Sequence, residues 1–122
     1  MTKKTLIVGA STNPERYAFK AIHLLLSFGY SVVLFGNKSG EVSGHKIAVQ
    51  WTDLDLVDIH TVTLYVGPHN QVDLMQKITD IKPKRVIFNP GTENPAFYSM
   101  LESQGIFYEE ACTLVLLNLK AY

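Results

Sequence analysis

The chain has 122 residues, with eleven basic and eleven acidic side chains, 47% hydrophobic and 18% charged residues. That length supports one core and not two, so residues 1–122 are expected to form a single domain, and the composition excludes a disordered chain. Balanced charge offers no basic excess for a nucleic-acid or anionic membrane surface, and no apolar run approaches the ~18 residues that cross a bilayer.

The opening Met1-Thr2-Lys3-Lys4 enters an apolar stretch too short for a signal peptide and reads as a first strand, Thr5 to Val8, stopped by Gly9. A loop of small and polar residues runs from Ala10 to Arg16. Apolar positions from Ala18 to Phe28 then mark a helix face, with Gly29 at a C-cap position. Ser31 to Phe35 is continuously apolar, as buried parallel strands tend to be. Residues 36–53 are the least regular, broken by Gly36, Gly40 and Gly44, with Ile47 to Val49 as a short edge piece and Trp51 as a half-buried anchor. Asp53, Asp55 and Asp58 read as turn residues before a third strand, Thr61 to Val66. Pro68 starts a helix whose apolar positions continue from Val72 to Ile81, ended by Pro83. Arg85 to Phe88 forms a fourth strand, Pro95 to Ser103 a helix closed by Gly105, and Ile106 to Tyr108 a fifth strand. Ala111 to Leu119 closes the chain as an apolar helix, which leaves a homodimer open.

Strands alternating with helices predict a Rossmann-like, doubly wound, five-stranded parallel sheet with helices on both faces. The order 3-2-1-4-5 is favoured over the flavodoxin-type 2-1-3-4-5. In such a sheet a ligand binds outside the carboxyl ends of the strands, next to strand 1. Gly9, Ala10, Ser11, Thr12, Asn13, Arg16 and Tyr17 lie there. Gly9 permits a tight turn, Ser11, Thr12 and Asn13 carry donors, and the following helix directs free N–H groups and its positive dipole end at the same spot. An anion is the natural occupant, with Arg16 at the rim. Ser, Thr and Asn are also ordinary helix caps, and the loop by itself supports both readings.

Two departures from a dinucleotide site narrow the ligand. Ser11 and Pro14 stand at the second and third positions of the Gly-x-Gly-x-x-Gly fingerprint, and strand 2 ends in Phe35-Gly36-Asn37-Lys38 without the acidic residue that meets an NAD ribose. Lys38 favours a ligand with an extra phosphate on its ribose, which NADP and coenzyme A both have.

The run from Gly9 to Tyr17 (Gly-Ala-Ser-Thr-Asn-Pro-Glu-Arg-Tyr), then Gly29-Tyr-Ser-Val-Val, Gly36-Asn-Lys38, and Glu109 to Leu117 near the end resembles the stand-alone CoA-binding domain proteins. These are similar to the N-terminal domain of the succinyl-CoA synthetase α subunit. The resemblance implies that Gly9, Ser11, Asn13, Arg16 and Tyr17 follow the CoA pyrophosphate and pantetheine, with Ala10 and Thr12 in the same loop. It implies that Asn37 and Lys38 meet the 3′-phospho-ribose, and that Val66, Gly67 and Pro68 lie near the adenine. Gly67-Pro68-His69 departs from the Arg or second Pro common there. The implied function is reversible binding of CoA or an acyl-CoA by a cytoplasmic, non-catalytic carrier, sensor or regulatory module.

A small NADP-dependent oxidoreductase with its active site at a subunit interface is the alternative, and an interaction protein with a vestigial pocket the third. Cys112, the single cysteine, excludes an internal disulfide and reads as core filling at the start of the last helix, and a reducing cytoplasm follows. The histidines, His23, His45, His60 and His69, lack metal-ligand spacing. Asn89 to Asn94 reads equally as a Pro-Gly turn and as a ligand contact, and Glu109 and Glu110 as acids preceding a helix.

Overall fold

Successive side chains of a strand face opposite sides, and in the structure, a computed structural model describing residues 3–122, that alternation sets the layers. Strand β1 (Thr5–Val8) is buried throughout. Ile7 packs on one side with Ala18, Ile22 and Leu25 of helix α1 (Tyr17–Ser27) and Leu117 of α4 (Thr113–Asn118). Leu6 and Val8 pack on the other, with Ile78 of α2 (Met75–Asp80) and Phe97 and Leu101 of α3 (Pro95–Ser103). Two apolar layers therefore sandwich one sheet, each buried Leu, Ile or Phe contributing about 1.5–3 kcal/mol.

The sheet contains β2 (Val32–Phe35), β3 (Gly40–Val42), β4 (His45–Ala48), β5 (Thr61–Leu64), β6 (Arg85–Phe88) and β7 (Phe107–Glu110) beside β1. Its order is β3-β4-β2-β1-β5-β6-β7. Every pairing is parallel except β3 with β4.

The expected five-stranded, wholly parallel sheet is thus corrected to seven strands of mixed direction. Residues 36–53, read as irregular, contain a hairpin that extends the sheet. Ser43 (φ 50°) and Gly44 (φ 84°) turn it, both in the left-handed region that a two-residue hairpin loop requires. The five strands foreseen stand in the order 2-1-3-4-5, not 3-2-1-4-5. A Rossmann-type order is recovered only when β4 is counted as the third strand. Both misreadings share one cause: β3, at the sheet edge, and β4, between β3 and β2, are short and carry too few apolar residues to announce strands, although the expected edge piece Ile47 to Val49 does overlap β4.

Helix α1 ends as its glycine suggests. Gly29 N donates to Leu26 O and Tyr30 N to Leu25 O, each at 3.0 Å, the paired bonds that close a helix through a left-handed residue. The helix expected from Pro68 to Ile81 is broken. Pro68–Asn70 is one 3-10 turn, and α2 begins only at Met75. Val72, counted among its apolar positions, is 67% exposed. The last helix is likewise shorter than Ala111 to Leu119, because β7 and its exit occupy the residues before Thr113. No described helix is long and apolar enough to cross a membrane.

Candidate functional site

From β1 the chain moves to β2 and β4 on one side, then places β5 on the other. Loops leaving β1 and β5 therefore part at the carboxyl edge, and a cleft of about 1070 Å³ opens between them. Gly9, at φ 97°, begins its floor. Its N–H and that of Ala10 both donate to Phe35 O at 2.9 Å, which ties the first loop to the end of β2. A Cβ on Gly9 would lie 3.0 Å from Val66 Cγ1 and 3.1 Å from the Tyr65 carbonyl carbon. Gly36 is tighter: a Cβ there would stand 2.5 Å from Ala10 O. The backbones of the two loops meet where no side chain fits.

The polar residues of the first loop hold its shape. Ser11 Oγ accepts from Asn13 N, and Asn13 Oδ1 from Glu15 N, both at 3.0 Å. Neither caps α1. Its N-cap is Arg16, which makes no side-chain cap, so the first turn keeps the free N–H groups and positive dipole end that suit an anion. Arg16 and Lys38 stand exposed on the cleft, as does Glu15. Tyr17 is 68% exposed, with Lys20 Nζ 5.5 Å from its ring centroid.

The cleft gathers Gly9, Ala10, Ser11, Thr12, Asn13, Arg16, Tyr17, Asn37, Lys38, Val66 and Gly67. Pro68 is not on its wall; it opens the 3-10 turn beyond Gly67. Val49, Tyr65, Asn70 and Leu74 line it without having been singled out. Val49 follows β4 and gains meaning only once that strand is known. Tyr65 precedes Val66 and had a positional signal; burial pushes its enclosed hydroxyl up to about 12.

The Asn89–Asn94 loop divides between the two readings open to it. Asn89 is structural: Nδ2 donates to Thr63 Oγ1 at 2.6 Å and Leu64 O at 2.9 Å, while Oδ1 accepts from Thr113 N at 2.9 Å. Pro90, Gly91 and Thr92 line the cleft. Glu109 and Glu110 precede α4 but do not reach its first turn, which has no acidic residue. They sit in β7, where Glu109 pairs with Arg85 at 3.5 Å and Glu110 accepts from Tyr98 at 2.6 Å. Burial, and then Glu110, pushes the Tyr98 hydroxyl up. Cys112 is half-buried at the N-cap of α4 and away from the cleft wall. Trp51 anchors the segment after β4, edge-on to Phe35 at 5.3 Å.

Comparison with known proteins adds chemistry to this geometry. A family described as CoA binding domain matches residues 3–118. A crystal structure described as an uncharacterized protein is 41% identical, covers 100% of this chain and 99% of its own, and superposes with a TM-score of 0.94. A hypothetical protein from Pyrococcus horikoshii OT3 is 27% identical over 98% of this chain and 84% of its own, with a TM-score of 0.84. A dinucleotide forming acetyl-coenzyme A synthetase from Ca. Korarchaeum cryptofilum, in complex with phosphate and ADP, is similar in fold, at 17% identity and a TM-score of 0.67. That match covers 87% of this chain and 25% of the synthetase. No curated protein matches the sequence.

Proposed function

Because this chain belongs to the CoA binding domain family, we propose that it binds coenzyme A or an acyl-CoA reversibly at the carboxyl edge of its sheet, as a carrier, sensor or regulatory module. The observation that carries the reading is the uncapped start of α1 opening onto a cleft that also holds Arg16 and Lys38. In this reading the pyrophosphate lies along Gly9 to Tyr17, where the free N–H groups of the first turn and Arg16 neutralise it. Asn37 and Lys38 meet the 3′-phosphate on the opposite rim. Val66 and Gly67 face the adenine, with Pro68 behind them fixing the turn. A cytoplasmic setting suits both a free thiol ligand and an unpaired Cys112.

Calorimetric titration of ligand-free protein with CoA, dephospho-CoA, NADP and NAD tests the proposal. CoA is expected to bind most tightly and to lose affinity without its 3′-phosphate. Lys38→Glu is expected to weaken CoA about tenfold or more and dephospho-CoA by less than about twofold, the larger change equalling about 1.4 kcal/mol. Absence of CoA binding overturns the function. Equal losses for both ligands remove Lys38 from the phosphate, and binding of NADP alone favours the oxidoreductase.

A further inference from the structure

Gln71 lies in the segment where periodicity expects a helix, yet it is a fully buried amide whose hydrogen bonds run to the walls of the cleft. Its Nε2 donates to Val66 O at 2.9 Å and to Thr92 O at 2.8 Å. Its Oε1 accepts from Asn94 Nδ2 at 2.8 Å. Asn94 is itself held, because its Oδ1 accepts from Phe97 N at 3.4 Å at the start of α3. That orientation leaves the Gln71 amide one way round, with both N–H groups directed at carbonyls.

The position of these bonds gives them their consequence. Pairing between β5 and β6 ends at Leu64 and Phe88. Beyond it the two chains separate, and Val66 and Thr92 become facing parts of the cleft lining. The Gln71 side chain bridges them where the backbone ladder has stopped. The Gln71 backbone carbonyl accepts from Leu74 N and Met75 N, at 2.8 and 3.0 Å, in the turn that joins the Pro68–Asn70 3-10 turn to α2.

We infer that Gln71 is a positioning residue that fixes the separation of the Val66 and Thr92 walls, and thereby the affinity for a ligand that touches both. The inference rests on the proposed CoA reading and adds a residue to it that no ligand contact would reveal. On the proposed reading, adenosine 3′,5′-bisphosphate carries the adenine that faces Val66 and the 3′-phosphate that Asn37 and Lys38 meet. We take the pantetheine limb, which only CoA carries, to run on past Thr92 on the cleft wall. Releasing the bridge therefore penalises CoA and spares the shorter ligand.

Titration of both ligands into wild type, Gln71→Met and Asn94→Asp is the test, with thermal unfolding in parallel. Gln71→Met keeps the volume and removes the bonds; Asn94→Asp keeps the cap on α3 and removes the donor that orients Gln71. CoA is expected to weaken about tenfold in the first and about threefold in the second, with adenosine 3′,5′-bisphosphate within about twofold of wild type in both. Equal losses for the two ligands, tracking the fall in unfolding temperature, make Gln71 merely structural and overturn the inference. So does unchanged CoA affinity in either folded variant. Wild type that binds no CoA overturns the reading of the site, and this inference with it, whereas wild-type binding with equal losses overturns the inference alone.

Discussion

At the amino edge of the sheet, Arg85 donates from Nε to Thr61 Oγ1 at 3.2 Å, stacks its guanidinium 4.4 Å from the centre of the Tyr122 ring and pairs with Glu109. At the carboxyl edge, Arg16 and Lys38 stand in solvent around an open cleft. The amino edge closes its other polar groups in the same way. Tyr122 and Thr5 share a hydroxyl bond at 2.6 Å, and His60 Nδ1 lies 2.8 Å from Thr61 Oγ1. Nearly every buried polar group at this edge finds a partner within the fold, Arg85 Nη2 being the exception, so the amino edge contributes to stability. Groups left exposed around a cavity are available to a guest, so the carboxyl edge is where binding is expected.

Substitutions separate these two roles. Arg85→Met leaves Glu109 without its partner and the Tyr122 ring without its nearer cation, Lys3 Nζ remaining 5.7 Å from its centre. Urea unfolding is expected to show a loss of about 3 kcal/mol, while CoA affinity changes less than about twofold. A larger effect on binding than on stability breaks the comparison. Gly36→Ala acts at the other edge, forcing a Cβ against Ala10 O. Overpacking costs about 2 kcal/mol, and because Ala10 carries the first loop, CoA affinity is expected to fall well beyond what Arg85→Met produces. Unchanged affinity in a destabilised Gly36→Ala protein removes the first loop from the site.

The smaller effects sharpen the picture at the amino edge. Tyr122→Phe removes the hydroxyl partner of Thr5 and is expected to cost about 1 kcal/mol in urea unfolding, with no change in ligand affinity. His60 is held below its usual range by burial and then by Arg85, Lys3 and Lys84. The folded state therefore favours the neutral ring. Its contribution is present above about 6.5, the unfolded value, and is lost as pH falls from there through the lower folded value. Urea midpoints measured downward from pH 7 are expected to fall more steeply for wild type than for His60→Gln. Parallel profiles exclude His60 from the cluster.

Much of the first loop was legible because its signals are local. Gly9 stops an apolar strand, small polar residues follow, and Gly29 ends the next helix, all within one strand–loop–helix unit. The absence of an acid after Phe35, and Lys38 in its place, could also be read directly. What eluded reading depends on partners far away in sequence. Asn89 gives no sign that Thr63, Leu64 and Thr113 satisfy its amide. Gln71 looks like one polar residue on a helix until Val66, Thr92 and Asn94 surround it.

By itself, then, the sequence determined the α/β class, the place of the first loop at a strand's end and the chemistry of its rim, since backbone freedom, apolar runs and charge are properties of short stretches. Only the tertiary structure decided the strand order, the added β3–β4 hairpin, the broken helix after Pro68 and the pairing of Arg85 with Glu109. Short strands with few apolar residues lack a pattern to announce them, and the register of long-range contacts follows from which buried groups meet across the sheet. The same physics makes the amino edge closed and the carboxyl edge open: polar groups brought together by the fold satisfy each other at one end, Arg85 Nη2 excepted, and at the other the parting of the loops that leave the paired strands β1 and β5 leaves room for a ligand.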